Sequence, residues 1–517
     1  MLYTFPKIMN DHHSSLMHNS IRSTFIVGAK LLILLLVFFG IHQQSTANVH
    51  IGSGQQFTTL QEAVNAIRPG DTVLFHEGKY AGYQGISNLK GSAQQWIVFA
   101  PFENDVVEIA GAWQFMSCEY LKFLHLTFRG TPEYPGRLFS VDNSGSCQTP
   151  SKFIIVENCS FSNTTDPTAI TAFKMSGVDS FAVTNCTFSD IPACEAMDYN
   201  VCSNGIVKGN RFENCLSGGH IKRGASNITM EANIFINASQ APWVAYELGG
   251  DTGAEFYCPE DSFEVSNLNF YSNIVIGGYR GIALSSARKC KIINNTFYNC
   301  GQATWRFLTT STLYPELSGN IIENNLLVFG LSAYINGGKQ PPDAAVFSNN
   351  IYYSITAPTF TGPYWDTPDL DAIKDKNPLL YGSTIPMFVA AQNQDFRLAA
   401  SSPAIGTGKP ETEPTTDYYG KPFSQTRRSI GAVEVESTSA IETVDKTVNA
   451  NITIYPNPTS NYIEIRGVTR EEQVSIITPI GTTALTASTK YPIDLSKLPS
   501  GVYLVIIGKS TKIIIKQ

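Results

Sequence analysis

FIIVENCSF, residues Phe153–Phe161, is a run of alternating apolar residues that ends in Asn-Cys, one spacer and an aromatic. The phrase returns as LKFLHLTF at Leu121–Phe128, FAVTNCTF at Phe181–Phe188, GIVKGNRF at Gly205–Phe212 and ITMEANIF at Ile228–Phe235. It continues as LNFYSNIV at Leu268–Val275 and KIINNTF at Lys291–Phe297, with weaker copies at Ile321–Val328 and Val346–Tyr353. The residue two before the aromatic marks each copy: Leu126, Cys159, Cys186, Asn210, Asn233, Asn273, Asn295, Asn325 and Asn350, at intervals of 33, 27, 24, 23, 40, 22, 30 and 25 residues. Such a period with insertions describes a solenoid whose stacked coils tolerate loops at fixed corners. Alternation with period two makes the repeat a set of strands, and Gly, Asn and Ser mark its corners. A leucine-rich repeat would need a leucine ladder and a helical half-repeat, which do not occur. The marker Asn suits a stack of amides bonding from coil to coil, about 4.8 Å apart. The fold expected is all-β: a right-handed parallel β-helix over residues 48–435.

The rest of the chain dresses this solenoid. With 15% charged residues and a net charge of −7, no nucleic-acid partner is expected. Arg22 and Lys30 precede the apolar run Leu31–Phe39, and Ser45-Thr46-Ala47 follows. Residues 1–47 therefore read as a signal peptide, the run being too short to span a membrane comfortably. Of ten cysteines, Cys159 and Cys186 sit at marker positions and are expected to be buried. Cys194 with Cys202, and Cys290 with Cys300, are close enough in sequence to bridge a corner loop. No Cys/His spacing for zinc is present. Leu60, Ala63, Val64 and Ile67 fall at helical spacing before Pro69-Gly70, a short amphipathic helix suited to capping the first coil.

That helix, the PGDTV turn, EGKY and the strand of GSAQQWIVFAP together resemble the amino end of chondroitinase-B and alginate-lyase type β-helix proteins. Residues Asp395–Gly408 and Arg428–Glu434 resemble a closing segment of secreted bacterial β-helix proteins. Residues 436–450, rich in Ser, Thr and Glu, read as a linker, and 451–517 as a small β-sandwich with turn signals every eight to twelve residues. YPNP, SGVYLV and the Lys-rich last strand closely resemble the C-terminal sorting domain of the type IX secretion pathway of Bacteroidetes. That resemblance implies a secretion-machinery partner, passage across the outer membrane, removal of the domain, and an extracellular protein that is released or surface-attached.

Chemistry is expected on the flank of the solenoid, since its interior is filled. AFKMSG (Ala172–Gly177), AMDYNV (Ala196–Val201), HIKRGA (His220–Ala225), AYELGG (Ala245–Gly250) and IALSSA (Ile282–Ala287), laid side by side, align Lys174, Asp198, Lys222, Glu247 and Leu284. Alternation then turns Lys174, Asp198, Lys222 and Glu247 outward in one column, with Asp198 and Glu247 about 10 Å apart. A column of alternating charge can also be purely structural, each pair stabilising the sheet by about 0.2–1 kcal/mol. Beside it, the Gly- and acid-rich loop Gly249–Asp261 could build a cleft wall or a calcium site, with Asp198, Glu247 and Asp251 as ligands. Lys174, Trp243, Tyr257, Arg280, Trp305 and Arg306 are the expected substrate contacts, and Lys222, Arg223 and His220 the catalytic candidates.

A lyase needs a Lys or Arg of lowered pKa to take a uronate C5 proton, and a cation to neutralise the adjacent carboxylate. Lys222 between two carboxylates would have its pKa raised, which opposes that role unless calcium claims them. An inverting hydrolase needs carboxylates about 6.5–9.5 Å apart, and the paired-Asp signatures of polygalacturonases are absent. HIKRGASNITMEANIFINA with VAYELGGDTG also resembles a broad group of exported β-helix proteins of unassigned activity, with Arg223 replacing a Gly of their pattern. The expectation is a monomeric polysaccharide lyase acting on a uronate-containing polymer, with either calcium or no cofactor. The alternatives are a non-catalytic glycan-binding or adhesin-like surface protein and a β-helix glycoside hydrolase.

Overall fold

The computed structural model describes residues 48–435 and 452–517, apart from 147–148, 170, 253–262, 309–316, 331–332, 338–339, 342, 366–374, 469, 479–482 and 509. The expected signal peptide (1–47), the linker (436–450) and Tyr257 lie outside these residues. The strands that precede the markers form one parallel 13-stranded sheet, from Asn48–Ile51 to Ala345–Ser348, here called the first face. The remaining solenoid strands form a 19-stranded sheet that bends through two further faces. The second face holds the short strands after each marker, such as Ser160–Ser162 and Ile234–Ile236. The third holds Phe139–Asp142, Thr171–Ser176, Tyr246–Gly249, Arg280–Ser285 and Ala303–Leu308. Thr187–Asn200 and Arg211–Lys222 are long enough to run through both. The chain is thus a right-handed parallel β-helix, as the repeat implies.

Two ladders hold its coils in register. The phrase-ending aromatics Phe128, Phe161, Phe188, Phe212 and Phe235 stack at centroid spacings of 4.9, 5.0, 4.9 and 4.5 Å. Asn210, Asn233, Asn273, Asn295, Asn325 and Asn350 are fully buried. Each donates from Nδ2 to the next amide oxygen at 3.0–3.1 Å, down to Asn350. The same oxygens accept backbone N–H groups, as where Asn233 Oδ1 takes Asn210 N at 2.9 Å. The residue before each marker is left-handed, Ala232 at φ 54° and Asn294 at φ 56° among them, so the corner turns tightly and points the amide inward. Asn233→Leu or Asn295→Leu strands neighbouring buried groups. Each is expected to cost about 2 kcal/mol or more, read as a lowered thermal midpoint; unchanged midpoints in both variants would refute the ladder.

Leu60–Ala63 forms the capping helix, with Thr59 as its N-cap and Glu62 closing a capping box, and it buries Leu60 and Ala63 over the first coil. At the other end the closing segment folds back along the second face, packing Phe396, Ala432 and Val433 on Ile234, Ile236 and Ile274. Arg428, fully buried there, donates to Asn294 Oδ1 at 2.7 Å and to the carbonyls of Glu411 and Pro414. The two disulfides that spacing allowed are not formed. Cys194 approaches Thr164 Oγ1 at 3.4 Å, Cys202 donates to Asn200 O at 3.3 Å, and Cys290 and Cys300 are free in the core. Each of these thiols fills an inward position of its own coil, where it packs as a small apolar group. The C-terminal residues form a sandwich of three- and four-stranded antiparallel sheets around Ile463, Val474, Ile493, Val505 and Ile514.

Candidate functional site

The outward column of the third face runs Ser140, Lys174, Asp198, His220, Glu247, Ala283, Arg306, Asn336. His220 therefore occupies the place expected for Lys222, and Ala283 that expected for Leu284. Lys222 pairs instead with Asn200, one outward position further along the strand. The reason lies at Gly219, which takes the inward position opposite Met197. Its φ is 128°, and a Cβ there would lie 1.7 Å from Met197 O. Any side chain at this point is excluded, so the apolar residue that the alignment sought is missing and the pairing moves by two residues. Gly249 repeats the device at φ 104°, where a Cβ would lie 1.7 Å from Ser285 O.

His220 is held between two carboxylates. Its Nε2 lies 3.0 Å from Glu247 Oε2, and its Nδ1 lies 2.7 Å from Glu195 Oε1 in an ion-pair contact that is not aligned as a hydrogen bond. Burial alone would lower the imidazole pKa; the charge and contact of Glu195, then those of Glu247, overcome this and raise it to about 10. At neutral pH this residue is an imidazolium and is no proton acceptor. Its ring also fills the space between Asp198 and Glu247, about 10 Å apart at two rungs of sheet, where an inverting hydrolase would keep its water.

One rung before Asp198 lies a different environment. Lys174 Nζ is 3.6 Å from Asp198 Oδ2, which also accepts Asn200 Nδ2 at 2.7 Å. Burial pushes the Lys174 pKa below the ordinary lysine value against the pull of Asp198, and the nearby charges of Arg137, Arg223 and Lys222 push in the same direction. Arg223 sits at a left-handed corner, φ 59°, whose backbone N–H donates to Glu264 Oε2 at 2.9 Å. Glu264, fully buried, also accepts Thr252 N at 2.6 Å and so ties the root of the long insertion to this corner. The aliphatic stem of Lys222 lies under Gly250, with Cδ 3.0 Å from where a Cβ would stand.

Beyond Glu247 the column dips at Ala283 and rises at Arg306, whose charge, after burial, lowers the pKa of Arg280. Arg280 donates to Gln302 Oε1 and to Pro242 O, and Arg306 to Asn336 Oδ1 at 3.4 Å. Among the described residues neither guanidinium meets a carboxylate. Trp243, 37% exposed, stands edge-on to His220 at 6.4 Å. Trp305 departs from expectation: it pairs with Ile282 and Ile335 in the core and is fully buried against Phe297 and Phe347. An inward position on the strand puts it out of reach of any polymer.

The expected calcium ligands are not gathered. Among the described residues no group of three or more His, Cys, Asp or Glu side chains is placed to hold a metal ion. Asp198 and Glu247 each face a protein cation, Lys174 and His220, while Asp251 is exposed at the root of the loop. Sequence reasoning passed over Glu195, Asn200 and Arg137. An acid inside the apolar run ACEAMDYN was the available signal for the first; Arg137, between Gly136 and Leu138, gave none.

The fold defines a parallel β-helix protein with a small C-terminal β domain. Residues 453–517 match the secretion system C-terminal sorting domain, so the terminal sandwich is a type IX sorting domain. No curated protein matches the chain. Among solved structures, the chain is similar to the pectate lyase Pel9A at 14% identity, over 75% of this chain and 97% of that one, with a TM-score of 0.45. It is similar to the PL6 family alginate lyase AlyGC at 12% identity, over 69% and 57% of the two chains, with a TM-score of 0.36. It is similar also to PfbA, a surface adhesin of Streptococcus pneumoniae, at 12% identity, over 57% and 85%, with a TM-score of 0.38. At these identities none of them carries an activity across to this chain. Deleting residues 453–517 is expected to hold the protein inside the cell envelope. Fractionation of cells checks this, and normal amounts of truncated protein outside would refute a sorting role.

Proposed function

We propose that the protein is an exported polysaccharide lyase that cleaves a uronate-containing polymer by β-elimination on the third face, with Lys174 as the base. The observation that carries this reading is Lys174 itself, mostly buried on the outward column and 3.6 Å from Asp198 Oδ2, where burial, helped by the charges of Arg137, Arg223 and Lys222, lowers its pKa. Once deprotonated, the Lys174 amine takes the C5 proton, and the electron pair forms the C4–C5 double bond as the C4–oxygen bond breaks. The departing oxygen takes a proton from water. The flanking cations hold the uronate carboxylate and stabilise the charge that develops on it. Lys222 and Arg223 thus act as carboxylate holders, and the imidazolium of His220 fixes the acidic centre of the column. Trp243, Arg280 and Arg306 offer a second, cationic and aromatic stretch for the same chain.

The test is the ultraviolet absorbance of unsaturated ends from a panel of uronate polymers, with and without added calcium. Product from one class of polymer supports the reading. A protein that binds such a polymer tightly and yields no unsaturated end is a glycan-binding surface protein instead. That second reading draws on the way Lys174–Asp198 and Glu195–His220–Glu247 already satisfy one another's charge.

A further inference from the structure

The first face carries apolar side chains on its outside as well as its inside. Inward Ile154, Val156, Phe181, Val183 and Val207 belong to the solenoid core. Their outward neighbours Ile155, Ala182 and Ile206 stand in adjacent rungs of one column, at 4%, 0% and 0% exposure, with Trp96 and Phe153 beside them. The column turns polar one rung on, at Thr229 and then Asn269. A solvated outer face has no need of such a stripe, and a bare one would be a site of association.

The sorting domain has the complementary feature. In its strand Gly501–Ile507, Tyr503, Val505 and Ile507 enter the domain's own core, while Val502 and Leu504 point the other way. In Ser510–Lys516, Ile514 turns inward and Ile515 outward. An antiparallel sheet with one free face alternates apolar and polar; this one is apolar on both. Gly501–Ile507 lies across Val178–Thr184 and Ser203–Lys208, where the outward column is most apolar. Ile477, Val502, Leu504 and Ile515 close on Phe153, Ile155, Ala182 and Ile206. Gln94 Nε2 donates to Gln517 Oε1 at 2.9 Å at the margin.

We propose that this outward stripe is a receptor for the chain's own sorting domain, one that keeps the domain bound to the solenoid after the connecting segment is cut. Cleavage then does not by itself release the domain. The sorting sheet leaves only when something else takes its apolar outer face, and until then it shields a surface that would draw solenoids together.

The test uses the full chain with a protease site placed within residues 436–450, cut and passed over a gel-filtration column at micromolar concentration. The two fragments of the wild type are expected to elute together. Ala182→Arg with Ile206→Arg, both outward, is expected to weaken their association about a hundredfold or more, so that the small fragment elutes alone. An unchanged solenoid melting temperature separates this from unfolding, and Leu504→Arg tests the same contact from the other side. Separation of the wild-type fragments on cutting overturns the proposal, and so does co-elution in the arginine variants. Separation with dimerisation of the large fragment would make a second copy the occupant and overturn it equally.

Discussion

Lys174→Ala is expected to lower the rate of unsaturated-end formation about 10²–10⁴-fold, the span that a positioned general base contributes, and also to lower the melting temperature, since it leaves the buried Asp198 without its cation. The reason is the asymmetry between two of the column's basic positions, Lys174 and His220. Lys174 is mostly buried, with 20% of its side chain exposed, and desolvation favours its neutral amine. His220, one rung beyond Asp198, is driven the other way by two carboxylates and cannot accept a proton at neutral pH. Lys174→Arg should fail to restore the rate, because a guanidinium stays charged. Lys222→Ala and Arg223→Ala should instead weaken binding of the carboxylate, raising KM more than they lower kcat. A sharp fall in kcat for Lys222→Ala together with an active Lys174→Ala would move the base to Lys222. Unchanged turnover in all three variants would remove the chemistry from this face.

How far the sequence could lead is clearest at this column. Period-two alternation says which side of a sheet a residue faces, and it placed Lys174, Asp198, Lys222 and Glu247 on the outside. A shift of two residues leaves that parity untouched, so alternation cannot fix which outward residue stands next to which. Gly219, left-handed and inward, decided the point by moving Ile221 from Met197 to Tyr199. The marker asparagines were legible for the opposite reason. Each must bond the next amide and a turn backbone inside the core, so the residue type and the spacing carry the same message. Trp305 shows the limit from another side: Phe297 of its own coil and Phe347 of a later one bury it, and nothing local in its own strand announces them. The sorting domain was legible because its phrases keep their order over the last residues of the chain. Its packing against Ile155 and Ile206 depends on which rungs lie side by side, which only the assembled solenoid provides.

His220→Ala is expected to cost the solenoid about 3–5 kcal/mol, because it leaves two buried carboxylates without the cation between them. Glu195 and Glu247 keep only 4% and 14% of their side chains exposed, so water can compensate little. The imidazole pKa stands at about 10 in the folded chain, against about 6.5 in an unfolded one. A group raised in this way lends its full stabilisation below the unfolded value and loses it as pH climbs through the folded one. The stability difference between wild type and His220→Gln should therefore be largest near pH 6 and shrink steadily towards pH 10. Denaturant titrations of both proteins across that interval measure it. Glu195→Gln removes the larger of the two attractions, so the same difference should fade at lower pH in that background. A difference that stays level from pH 6 to pH 10 would mean that His220 is neutral between its neighbours.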